Sequence, residues 1–185
     1  MTTVNKILSA AADLLESGGS EALTSRSVCA AAGVKAPTLY HHFGDMTGLV
    51  NAVVTKGIVE FMAGKRAALQ STDPVAGLKK GWDAWIDFAM HRPILFKLMI
   101  ERAARDPELG REAHTIMRRN LERMAELGAL AVSVEAAARA VQAASNGVLS
   151  LLAQGATPTE VRETGALLFE SVLSRLTKGP VGYPD

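Results

Sequence analysis

Apolar residues recur along this chain at intervals of three and four, the spacing that gathers them on one face of a helix. Val4, Ile7, Leu8, Ala11, Leu14 and Leu15 make the first such stripe, and Gly18 and Gly19 end it, so a first helix is expected to run to about Ser17. Thr24 follows as an N-cap whose hydroxyl can accept from an orphan amide one turn on. Val28, Ala31 and Ala32 give the second helix its apolar face. Gly33 suits the left-handed position just past a helix end, where a side chain would clash. Val34 turns back into the corner, and Pro37 fits the first turn of a third helix, where its missing N–H costs nothing. Leu39 and Phe43, four apart, are read as the core side of that helix, which leaves Lys35, Thr38, Tyr40 and His41 on other faces. Two short helices around a glycine turn, the second with polar residues outward, make the pattern of a helix-turn-helix.

The same periodicity continues to the end of the chain. Asp45 is the expected N-cap of a fourth helix through Leu49, Val53 and Val59 to about Leu69. Ser71–Pro74 breaks the pattern and starts a fifth, with Leu78, Trp82, Trp85, Ile86 and Ala89 on one face to about Met90. Pro93 forces a sixth start. Asp106-Pro107 opens a seventh, striped by Leu109, Ala113, Ile116, Met117, Leu121 and Met124. Ser133 begins an eighth with small residues at Ala137, Ala140, Ala144 and Gly147, and Thr157-Pro158 begins a ninth carrying Val161, Leu168, Val172 and Leu176. The fold expected is all-α: a three-helix helix-turn-helix domain over 1–45, a helical bundle for ligand binding and dimerisation over 46–178, and a disordered tail over 179–185.

Composition agrees with helix, since Ala and Leu dominate over Val and Ile. No apolar run is read as reaching the roughly 18 residues of a membrane span, and the start lacks the basic-then-apolar order of a signal peptide. The single cysteine, Cys29, excludes an intramolecular disulfide framework and fits a reducing compartment. Set among alanines, it is read as a small buried hydrophobe rather than a redox switch. A cytoplasmic protein without membrane partners is expected.

Charge changes the picture in one place. The net charge is +1, and residues 1–45 hold three basic residues (Lys6, Arg26, Lys35) against four acids (Asp13, Glu16, Glu21, Asp45). Counterion release from phosphates supplies much of a protein's affinity for DNA, so this segment should bind DNA modestly and with a shallow salt dependence.

Leu23–Phe43, ending in Thr38-Leu39-Tyr40-His41-His42-Phe43 after an alanine-rich helix and Gly33-Val34, resembles the signature of the TetR family of bacterial transcriptional regulators. The resemblance spans residues 4–60. It extends more loosely from about 80 to 105, and within 84–99 Trp85, Phe88, Ala89, Pro93, Phe96 and Met99 resemble a pattern of one class of TetR C-terminal domains. It implies that the first helix packs across the other two, and that the chain is a repressor reading double-stranded, palindromic operator DNA as a homodimer. Three departures stand out. Val4 and Asn5 occupy the place of a usual arginine, Gly44 that of a common basic residue, and Met46 that of a lysine that meets a phosphate. Backbone amides at the start of the fourth helix remain as possible phosphate ligands.

By motif position, the DNA contacts expected are Arg26, Lys35, Ala36, Pro37, Thr38, Tyr40 and His41. Thr38 and Tyr40 can donate to phosphates, which fixes register. Lys35 and His41 can reach phosphates or base edges, and Ala36 and Pro37 thymine methyls. Arg26 would reach the backbone or a surface acid. For a small hydrophobic or aromatic effector, the candidate lining is Trp82, Trp85, Phe88, Phe96, Met99 and Met117, each of which also suits plain core. His114, Asn120, Gln142 and Asn146 are the polar candidates, because a buried amide needs a partner from the protein or a ligand. The last two helices suit either core or a four-helix dimer interface, and palindromic reading requires the second. The four histidines lack metal spacing, and no nucleophile elbow, phosphate loop or carboxylate pair marks an enzyme or a cofactor site. The competing reading is a helical small-molecule-binding or protein-interaction dimer whose DNA binding is reduced.

Overall fold

A computed structural model describes residues 2–106 and 108–178. Among them are nine α-helices and no strand: α1 (Thr3–Ala22), α2 (Ser25–Ala32), α3 (Ala36–Phe43), α4 (Met46–Ala68), α5 (Pro74–His91), α6 (Pro93–Arg105), α7 (Glu108–Glu126), α8 (Val134–Ala153) and α9 (Pro158–Leu176). The expected tail, 179–185, lies outside the described residues.

The helices gather into two compact units, one of residues 1–60 and 92–106, the other of 61–91 and 107–185. This departs from the boundary expected at residue 45. The first two-thirds of α4 and all of α6 join the N-terminal helices, because α6 packs on α1. A hydrophobic stripe tells a helix to bury a face but does not tell it against what.

In the first unit Ile7, Leu8, Ala11, Leu15, Leu23, Val28, Leu39, Leu49 and Val53 are buried. The first helix outlasts its expected stop near Ser17: it continues to Ala22 through a kink at Gly19, whose φ of 67° only glycine adopts freely. Thr24 caps α2 as expected, and Ser27 completes a reciprocal capping box, its hydroxyl accepting from the Thr24 amide at 3.0 Å. Gly33 takes the left-handed conformation (φ 66°), and the Val34 amide donates to the Cys29 carbonyl. Cys29 itself is half-buried rather than buried, and Val28 is the buried residue of α2. Phe43, expected as core beside Leu39, is also only half-buried.

From α1, Glu16 crosses to the start of α6, accepting from the amides of Leu95 at 2.8 Å and Ile94 at 3.2 Å. Asp13 takes Arg92 in an ion pair at 3.0 Å. Along α6, Leu95 fills the space left by Gly57 of α4, and Arg102 donates to the Asn51 carbonyl and the Thr55 hydroxyl.

The second unit is built around α5, which packs on α7, α8 and α9. Leu78, Trp82, Ile86, Leu121, Met124, Val148, Val161, Phe169 and Leu173 form its core. Gly165 lets α9 approach α5, since an added Cβ would meet Ile86 Cδ1 at 2.7 Å. The caps expected at Ser133 and Thr157 are present, the second reinforced by Glu160. At its end α9 is tied to the α7–α8 loop by the Ala131 amide on Leu176 and the Lys178 amide on Ala129.

Residues 46–67 of α4 reach a mean hydropathy of 1.2 and are long and apolar enough, by length and composition, to cross a membrane. This corrects the expectation that no stretch approaches that length. Leu49, Val53, Val54, Phe61 and Met62 are nevertheless buried within the folded chain, and Lys56, Glu60, Lys65 and Arg66 interrupt the run.

Candidate functional site

The helix-turn-helix presents α3 as an exposed helix on a buried anchor. Leu39 is completely buried, whereas Lys35, Ala36, Pro37, Tyr40, His41 and His42 are exposed and Thr38 is half-buried. Pro37 sits in the first turn, and Lys35 occupies the N-cap position, where an ammonium has no acceptor to offer the helix amides. His41 and His42 lie in the last turn, where the partial negative charge of the helix end favours cations. Their rings meet edge to face with centroids 5.2 Å apart. Arg26 is exposed near the start of α2 and forms no ion pair among the described residues. All seven residues expected to contact DNA thus lie on α2, on α3 or in the turn between them, and six are exposed.

Asp45 caps α4: its carboxylate accepts from the Gly48 amide at 2.7 Å. One of the amides open to a phosphate is therefore already occupied, and by a negative charge. An added Cβ on Gly48 would overlap the Phe43 carbonyl, so the tight α3–α4 corner requires glycine there.

The residues expected to line an effector pocket are divided between the two units. Trp82 is buried in the core of the second unit, its ring 5.4 Å from that of Phe169, with its indole N–H unpaired among the described residues. Phe96 and Met99 belong to α6, in the first unit. His114 is exposed on α7, and Gln142 and Asn146 are exposed on α8. These three do not line the interior of this unit, which buries Ile116, Leu121 and Met124 of α7 and Ala137, Ala138, Val141 and Val148 of α8 instead. Asn120 is buried, and its partners are protein: its amide donates to the Ile116 carbonyl and accepts from Arg123, both at 3.5 Å. Arg123 in turn holds the α4–α5 loop through the carbonyls of Ser71 and Thr72. Met117 is half-buried.

What does come together is a cluster on α4 and α5. Phe61 lies 5.1 Å from Trp85 and 5.5 Å from Phe88, centroid to centroid, and Lys65 is one turn beyond Phe61. The Lys65 ammonium stands 5.4 Å from the Phe61 ring centre and 5.6 Å from that of Trp85, and donates to the Gly81 carbonyl at 2.5 Å. Burial lowers its pKa to about 8. Phe61 and Lys65 were not among the sequence candidates. Their signal was a lysine four residues after a phenylalanine, which also describes any lysine that lays its stem along an apolar surface.

Residues 7–53 match the bacterial regulatory proteins of the tetR family, and residues 78–176 match the tetracyclin repressor-like C-terminal domain. No curated protein matches the sequence. Among solved structures, the fold is similar to a TetR family transcriptional regulator of Thermus thermophilus (TM-score 0.69, 23% identity, 91% of this chain and 97% of that one). It is also similar to the ketosteroid transcriptional regulator of Mycobacterium tuberculosis (TM-score 0.68, 18% identity, 96% of each chain). A third is SmeT, the repressor of a Stenotrophomonas maltophilia multidrug efflux pump (TM-score 0.72, 23% identity, 100% of this chain and 95% of that one). With both its helix-turn-helix and its C-terminal bundle matched, this chain belongs to the TetR family of bacterial transcriptional regulators.

Proposed function

We propose that the chain is a cytoplasmic repressor that binds a palindromic operator as a homodimer and is released by a small, largely apolar effector. The observation that carries the DNA-reading part is α3: one buried leucine anchors a helix on which Lys35, Ala36, Pro37, Tyr40 and His41 are exposed. In this reading Tyr40 and Thr38 donate to phosphates and set register, while Lys35 and His41 reach base edges. Arg26 adds a backbone contact.

Dimerisation through α8 and α9 is supported by what a single chain leaves bare. Leu167 of α9 is 65% exposed, and α8 shows Gln142, Ala143, Asn146 and Gly147 to solvent. Small residues allow close helix approach, and the two amides suit the rim of an interface better than the interior of a bundle. Pairing places two α3 helices about 34–36 Å apart, one helical turn of DNA. The effector acts by population shift, binding the DNA-incompetent arrangement better than the competent one.

The test is a mobility-shift titration of DNA from upstream of the protein's own coding region, at several salt concentrations. A discrete complex, competed by unlabelled palindrome and not by bulk DNA, is the expected result. A specific observation favours the alternative of an interaction dimer with reduced DNA binding: the Asp45 carboxylate sits on the Gly48 amide where a phosphate would bind, and Met46 brings no charge. That reading predicts no specific complex even after unbiased operator selection with and without ligands.

A further inference from the structure

Three of the lysines and arginines on α4 and α5 have a carboxylate. Lys56 pairs with Glu60, Arg66 with Glu112, and Lys79 with Asp83. Lys65, half-buried between these helices, has none among the described residues. Its ammonium carries three donors, and the protein answers with one carbonyl, that of Gly81, and the faces of Phe61 and Trp85. Ring quadrupoles and one neutral acceptor compensate a desolvated cation only in part. Among the described residues, no second acceptor meets the remaining donors.

We propose that Lys65 is the charge-recognising group of the effector site, and that the effector is an amphiphilic carboxylate whose apolar body lies against Phe61, Trp85 and Phe88. The inference rests on the effector reading above and narrows its chemistry. A hydrogen-bonded ion pair completes the lysine's donors in a place where water screens little, and charge-assisted bonds are about twice as strong as neutral ones. A monovalent carboxylate matches one ammonium. A phosphate monoester carries roughly −1.5 to −2, more than one ammonium neutralises.

Both tryptophans of the chain, Trp82 and Trp85, lie on α5, and Trp85 faces Lys65, so intrinsic fluorescence reports on the site. The full-length protein is titrated with 4-phenylbutyrate and decanoate, each against its own primary amide, and release of bound operator is followed in parallel. Carboxylates are expected to bind at least about tenfold more tightly than the amides, as a charge-assisted bond implies. In Lys65→Met that preference collapses, while Lys65→Arg keeps it; thermal melts of both variants establish that they fold. Equal binding of amide and carboxylate, or a preference that survives in Lys65→Met, overturns the assignment of Lys65 while leaving an effector site in place. If no probe of either kind alters fluorescence or operator binding, the effector reading falls and the proposal with it.

Discussion

Gly48 and Lys65 show how far single residues set local behaviour. At Gly48 an added Cβ would overlap a backbone oxygen, that of Phe43, which cannot rotate away as a side chain can. Gly48→Ala should therefore open the α3–α4 corner and cost about 1–3 kcal/mol, the range for overpacked sites, read as a lower thermal midpoint. An unchanged midpoint would mean that the corner relaxes freely. Lys65 makes a pH prediction, because burial lowers its pKa from 10.5 to about 8. Below pH 8 both states hold the proton and the whole cost of burying the ammonium is present. Between about pH 8 and 10.5 the unfolded chain binds a proton that the folded chain has lost, so stability rises with pH in that window. Its recorded neighbours, Phe61, Gly81 and Trp85, do not titrate. Relative to Lys65→Met, the wild type should gain stability across this range in denaturant titrations, and a constant difference would contradict the shift.

At the scale of elements, α6 is the instructive case. Its periodicity and its Pro93 start were legible, but its partner was not. Proline at the first turn removes one orphan amide, and Glu16, 77 residues earlier in the chain, answers the next two. A carboxylate at a helix N-terminus satisfies the amides and opposes the positive end of the helix dipole. Glu16→Ala should cost about 1 kcal/mol, as loss of a cap does, and should raise hydrogen exchange at the amides of Ile94 and Leu95. Protection there equal to wild type would show that the contact contributes nothing. Caps formed within three residues, at Thr24, Asp45, Ser133 and Thr157, could be read from sequence, because the partners are fixed by helix geometry. A cap supplied from another helix has no such local signal.

For the whole molecule, charge and pairing decide function. Because Met46 follows Asp45 at the position where a lysine usually meets a phosphate, Met46→Lys should strengthen binding to all DNA sequences alike. It should also steepen the slope of log affinity against log salt by about 1, the increment for one added phosphate contact. A gain confined to one operator, or no change in slope, would remove that position from the interface. Leu167, 65% exposed on α9, should be covered in a dimer. Leu167→Glu would then bury a charge against its copy, and sedimentation should show a shift toward monomer with loss of operator binding. A variant that stays dimeric would move the interface away from this face of α9.

Periodicity, caps and the Gly33 turn let the sequence by itself determine an all-helical chain, the position of the helix-turn-helix and an exposed set on α3, because these depend on contacts within a few residues. The family followed from the same short stretch. Tertiary structure alone decided that α6 joins α1, that His114, Gln142 and Asn146 face outward, and that Asn120 is held by Arg123. It also decided that Lys65 sits beneath two aromatic faces rather than in solvent. A stripe of apolar residues specifies that a face is buried, while the identity of the facing helix depends on packing between residues far apart in the chain. That packing is what turns one lysine on an apolar helix into a candidate binding group.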